Sequence, residues 1–191
     1  MNLQLLTPPA VTPVSLDEAK AHLNVDDADD DALITALINA ATDHLDGVAG
    51  ILGRALVTQI WVLKLGSWSD LVLPLSPVGS INEIRYVDGD GNQQTWASTD
   101  YALVKHRSRW EVCLQPGKSF PGLGDVLEPI EVEFVAGYGD AAAVPAALKA
   151  AIKLHVGTLY EHRETVITGT IIQEVPHAYD ALIAPYRLVN I

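Results

Sequence analysis

Apolar residues change their spacing twice along this chain, and that limits the folds open to it. Between Asp30 and Val48, the residues Leu33, Ile34, Leu37, Ile38, Ala41, Leu45 and Val48 recur at i, i+3 and i+4. This is the rhythm of a helix that buries one stripe. From Ala55 the texture becomes short runs rich in β-branched and aromatic residues: "ALVTQIWVLKL", "DLVLPL", "SINEIRYVD", "YALVK", "RWEVCLQ" and "PIEVEFVAG". Clusters of Gly, Pro, Asp and Asn separate them, as expected of strands joined by turns. Helical sequence returns at Val144-Pro145. The order predicts an α+β fold: a helical bundle of two N-terminal and two C-terminal helices, with an inserted, mostly antiparallel β module. The expected organisation is a single domain over 1–191, with a helical core from 14–54 and 140–191 and the β module at 55–136.

Local signals set the element boundaries. Ser15-Leu16-Asp17-Glu18 matches the capping box S-x-x-E and predicts a helix over Leu16–Leu23. Aspartates precede the long helix, where the macrodipole favours negative charge, and Gly47, Gly50 and Gly53 end it. "VDGDGNQQTW" contains Asp-Gly twice and predicts a hairpin turn. Pro145 fits the first position of a helix about 20 residues long. "PHAYDALIAPYRL" predicts a last short helix broken near Pro185, and the proline-rich first dozen residues predict an extended arm.

Composition excludes several classes. Hydrophobic residues make up 49% of the 191 positions and charged residues 19%, ample for a packed core. No apolar run approaches the roughly 18 residues of a membrane span, so no membrane partner is expected. The N-terminus lacks a basic region followed by a long apolar one, so no signal peptide is expected. The single cysteine, Cys113, precludes an internal disulfide and is expected to be a small buried hydrophobe. Twelve Lys+Arg against 24 Asp+Glu give a net charge of -12, opposite in sign to a dedicated nucleic-acid binder.

The candidate chemical motifs each have a structural reading. Gly137-Tyr138-Gly139 with Ala142 spells G-x-G-x-x-A, but it follows the last strand of a meander, and Pro145 starts the helix several residues too late for a phosphate cradle. Asp88, Asp90 and Asn92 have calcium-loop spacing, yet Gln93 and Thr99 stand where that loop needs Gly and Glu. The aspartates from Asp26 to Asp31 also lack the twelfth-position Glu. His155 and His162 are seven apart without the H-E-x-x-H pattern. No nucleophile elbow is present. Neither a cofactor, a metal nor a catalytic residue is expected. The one basic cluster is Lys105, Arg107 and Arg109, in "KHRSRW". "TVITGTIIQEV", 165–175, is an unusually apolar connection between helices and reads either as local core or as a segment that pairs with a neighbouring chain.

Taken in order, "VSLDEAKAHLNVDDADDDALITALINAATDHLD", "GRALVTQIW", "FVAGYGDAAAVPAALKAAIKLHVGTLYEHRE" and "PHAYDALIAPYRL" resemble the head–tail connector (adaptor, head-completion) proteins of long-tailed phages and prophages, and the related adaptors of gene transfer agents. The resemblance implies a non-enzymatic ring subunit of the virion, made in the bacterial host cytoplasm and dodecameric in the particle. It would sit beneath the portal protein, extend the DNA channel and present a surface to a stopper or tail-completion protein. Within that frame Val166, Ile167, Ile171, Ile172 and Val175, with Tyr186, Arg187 and Leu188, are candidate contacts to a neighbour or the portal. Lys105, Arg107, Arg109, Lys149 and Lys153 are candidate contacts to DNA, without sequence specificity, or to an acidic partner. The alternative is a small ligand- or carbohydrate-binding β module, using Trp61, Trp68, Trp96 and Trp110.

Overall fold

A computed structural model describes residues 2–106, 109–162 and 177–188. Helices and antiparallel sheets are both present, so the fold is α+β as expected. The chain forms two compact units: Met1–Ala10 with Thr58–Tyr138, and Val11–Val57 with Gly139–Ile191.

The first unit holds the strands: β1 (Asn2–Thr7), β2 (Gln59–Leu65), β3 (Val72–Leu73), β4 (Val78–Val87), β5 (Gln93–Thr95), β6 (Tyr101–His106), β7 (Arg109–Leu114) and β8 (Ile130–Ala136). One sheet has the order β1-β2-β8-β4-β5 and the other β3-β7-β6. Strand β8 explains the first sheet. Ile130, Val132, Phe134 and Ala136 alternate with Glu131, Glu133 and Val135, and the first set is fully buried. Across the ladder, Leu65, Leu63 and Trp61 of β2 face Ile130, Val132 and Phe134, while Tyr86, Ile84 and Ile81 of β4 face the same three from the other side. Burying each large side chain is worth about 1.5–3 kcal/mol. On the opposite face Lys64, Glu131 and Arg85 share a row: Lys64 Nζ lies 2.8 Å and Arg85 Nη2 3.5 Å from Glu131. These half-exposed pairs contribute little to stability beyond fixing register.

The N-terminal arm has a partner. Asn2–Leu5 pair antiparallel with Trp61–Lys64, and the register shifts between Leu5 and Thr7. The double Asp-Gly turn forms as predicted. Asp88 Oδ1 accepts hydrogen bonds from the amides of Asp90 (3.0 Å) and Asn92 (2.9 Å), and Oδ2 accepts one from Gln94 Nε2 (2.9 Å). The Asp88 carboxylate is thus engaged by donors of its own hairpin.

The second unit holds α1 (Leu16–Leu23), α2 (Asp31–Asp43), α3 (Ala146–Glu161), α4 (His177–Ile183) and a one-turn 3-10 helix at Ala184–Tyr186. Helix α1 starts on the predicted capping box: Ser15 Oγ accepts from Glu18 N (3.1 Å), and Glu18 Oε2 accepts from Ser15 N (2.9 Å). Helix α2 is shorter than its apolar rhythm predicts. It ends at Asp43; the amides of His44 and Asp46 still donate back to Ala40 O and Thr42 O, and the chain leaves the helix at Gly47, whose N donates to Arg54 O, while Asp46 Oδ1 accepts from Leu56 N at 2.6 Å. Val48, expected on the buried stripe, is 54% exposed. Gly50 sits where a Cβ would come within 2.3 Å of Asp46 O, so a larger residue does not fit this turn. Pro145 lies one position before its predicted place, as the N-cap of α3, with its carbonyl accepting from Leu148 and Lys149. Buried Ile34, Ile38, Ala41 and Leu45 join Leu148, Ile152 and Val156 in this unit's core.

Phe134→Ala is expected to destabilise the protein by about 3–5 kcal/mol in urea unfolding, because it empties a fully buried site on a strand paired on both sides. Leu127→Ala, at a residue 94% exposed, is expected to change stability by less than about 0.5 kcal/mol.

Candidate functional site

The segment from His44 to Leu56 becomes a small platform through its own backbone. Besides the Asp46 and Gly47 bonds, Ile51 N donates to His44 O at 2.9 Å and Gly53 N to Gly50 O at 3.2 Å. The chain after α4 docks here. Arg54 Nε donates to Tyr186 O, and Leu188 N donates to Leu52 O at 3.0 Å. Leu188 Cβ lies 3.7 Å from where a Cβ on Gly53 would be. Tyr186 and Leu188, candidate contacts to a neighbour or the portal, are half-buried and bond through their backbones within their own unit. Arg187 is exposed and reaches Asp180 at 3.4 Å. The other predicted contact residues, Val166, Ile167, Ile171, Ile172 and Val175, lie outside the described residues, as does Arg107.

The predicted cations are scattered. Lys149 Nζ sits 2.8 Å from Glu18 Oε1, so the acid that caps α1 also ties it to α3. The hydrogen bond from Lys149, then that from the Ser15 amide, hold the Glu18 carboxyl below its usual value. Lys153 is half-buried one turn along α3. Lys105 and Arg109 are exposed in the other unit, and Lys105 Nζ lies over the Trp110 ring, 5.6 Å from its centroid. Sequence reading found these cations but missed the Lys149–Glu18 pair, whose members are 131 residues apart.

Trp61 and Trp96 lie in the core. Trp68 stacks on Phe120 (5.5 Å, 12°) and tilts against Trp96 (4.8 Å), which meets Tyr101 at 4.9 Å. Trp96 is 3% exposed, and Trp61 is 8% exposed with its Nε1 donating to Gln59 at 3.0 Å. The Gly-Tyr-Gly loop is likewise structural: Gly137 N donates to Pro77 O, Gly139 has φ 129°, and Asp140 Oδ1 accepts from Ala143 N.

The capping-box helix, α2, the platform and β2 are the part of the chain that a family model recognises. Residues 13–64 match that of the phage gp6-like head-tail connector protein. Solved structures agree along the whole length. The virion of a native gene transfer agent particle contains a chain that superposes with a TM-score of 0.79 at 26% identity, covering 100% of this chain and 97% of that one. The neck of the empty particle, computed with C6 symmetry, gives 0.80 at the same identity and coverage. The neck of the native particle, computed with C12 symmetry, gives 0.69.

The chain resembles head–tail connector proteins in sequence and in fold.

A comparison with curated protein sequences finds no match. The likeness supports a structural connector role.

One titratable cluster reports on the helical unit. The His155 ring meets His44 (5.2 Å) and Tyr179 (5.7 Å) edge-on. His155 Nδ1 and the Tyr179 hydroxyl are buried without a hydrogen-bond partner among the described residues. Burial, then the charge of His44, holds the His155 pKa below the ordinary histidine value. The folded state thus favours the neutral ring, and the unfolded chain takes up the proton first as pH falls. The stability His155 contributes is present above the ordinary histidine pKa and is lost as pH falls through the depressed one. Melting temperature is expected to drop between about pH 7.5 and about pH 5, and His155→Leu is expected to lessen that drop.

Proposed function

We propose that this protein is the adaptor subunit of a head–tail connector ring, located in the virion at the head–tail interface and made in the bacterial host cytoplasm. Copies meet side to side through two different faces, which close into a ring by rotation. Twelve copies dock beneath the portal protein, extend the DNA channel and present a surface to a stopper or tail-completion protein. The observation that carries this reading is the end-to-end match to neck components of gene transfer agent particles, with 100% of this chain and 97% of the other aligned.

The charge fits a conduit. A net charge of -12 repels a polymer that carries one negative charge per roughly 1.7 Å, so passing DNA is not held. Lys149 is shared with Glu18, so the exposed Lys105 and Arg109 are better placed to touch phosphate or an acidic partner. Of the tryptophans that a carbohydrate-binding reading requires, Trp68 and Trp96 pack on each other and Trp61 and Trp96 are buried, which favours the adaptor.

Val166, Ile167, Ile171, Ile172 and Val175 supply the apolar contact to the neighbour or portal, with Arg187 exposed beyond α4. Mixing the purified protein with its portal is expected to give rings visible by electron microscopy and native mass spectrometry. A chain that stays monomeric and never binds the portal would overturn the proposal. Changing the five apolar residues together to serine is expected to abolish assembly while leaving the thermal transition within a few degrees of the parent, roughly the effect of 1 kcal/mol or less. Equal loss of folding would mark them as core.

A further inference from the structure

Hairpin β6–β7 has two unlike faces. Its register pairs Tyr101 with Leu114, Leu103 with Val112 and Lys105 with Trp110 on one side. That side carries buried Val112 and Tyr101. On the other side Ala102 faces Cys113, Val104 faces Glu111 and His106 faces Arg109. Cys113 was expected to be a buried hydrophobe, but the alternation gives the inward place to Val112, and Cys113 is half-buried on the outer side. It shares that side with His106 and Glu111. One ligand atom from each of His106, Glu111 and Cys113 lies within 4.8 Å of the other two. His106 Nε2 is 4.0 Å from Glu111 Oε2, too far for a hydrogen bond.

The geometry points to a divalent transition-metal site of the zinc class, formed by His106 nitrogen, a Glu111 oxygen and Cys113 sulfur. This donor set, nitrogen, oxygen and sulfur, is one that zinc accepts. Bonds of 2.0–2.3 Å at tetrahedral angles put ligand atoms roughly 3.3–3.8 Å apart, so the three groups must close by about 1 Å. The His106 and Glu111 side chains are 57% and 46% exposed, which leaves them room to turn toward a shared ion. A cation also resolves an electrostatic conflict. Burial, then the neighbouring Glu111 charge, pushes the Cys113 thiol above its ordinary pKa. A bound divalent ion turns both into ligands, and the thiol proton leaves to solvent as the sulfur–metal bond forms. Three protein ligands leave a fourth position for water or for a group from another chain.

Because Cys113 is the chain's one cysteine, sulfur ligation has a signal that no other residue can produce. The full chain, held reduced with a phosphine, is titrated with cobalt(II). A thiolate-to-cobalt charge-transfer band is expected, and zinc(II) is expected to bleach it. Cys113→Ser is expected to abolish the band. His106→Ala and Glu111→Gln are each expected to weaken cobalt binding about tenfold or more, since even outer-shell changes cost that much. Circular dichroism checks that the variants stay folded. No band at a large excess of cobalt, or an affinity unchanged in either the His106 or the Glu111 variant, overturns the site.

Discussion

Strand β8 bonds to a neighbour along both edges, and the five-strand sheet depends on it. Its seven residues alternate between a fully buried set and a set that meets water, so a slip of one residue would put Glu131 and Glu133 into the core. The cost of burying unpaired carboxylates locks the register of β2 on one side and β4 on the other. Strand β1 then adds to β2, and β5 to the far end of β4. The charged row Lys64–Glu131–Arg85 follows from that register.

The helical unit is closed by a different device, polar contacts between distant stretches of sequence. Glu18 completes the cap of α1 and receives Lys149 from α3. Tyr160 donates its hydroxyl proton to Asp30, at the start of α2. Arg54 and Leu52 hold the chain after α4 through backbone atoms of Tyr186 and Leu188. Each bond is worth about 1 kcal/mol net. Their larger effect is to decide which apolar faces meet, because a misplaced helix would leave these groups unsatisfied.

The proposed connector role needs rigidity and well-shaped surfaces, and the side-chain chemistry is consistent with that. Some groups that resembled a ligand-binding pattern in sequence are engaged by neighbours in the fold: Asp88 by the amides of its turn, and Trp68 and Trp96 by each other's rings. On hairpin β6–β7, by contrast, His106, Glu111 and Cys113 each bring a ligand atom within 4.8 Å of the others, and His106 and Glu111 stop short of a hydrogen bond.

Much of the local structure was legible in the sequence. The S-x-x-E box gave the start of α1, the double Asp-Gly gave the β4–β5 turn, and the β-branched run "PIEVEFVAG" marked strand β8. These signals work because they depend on residues within a few positions of one another, where chain geometry is fixed by the backbone alone. The end of α2 was less legible: the apolar rhythm runs on to Val48, but Asp46 and Gly47 find partners at Leu56 and Arg54. The partner of the N-terminal arm, the Lys149–Glu18 pair and the outward turn of Cys113 were not readable at all. The sequence by itself determined which segments are helix or strand and that the fold is α+β, because periodicity and capping are local. Only the tertiary structure decided which strand edges pair, which charges are engaged and which side of a hairpin a side chain takes, because those depend on atoms brought together across a hundred residues or on which face meets the core.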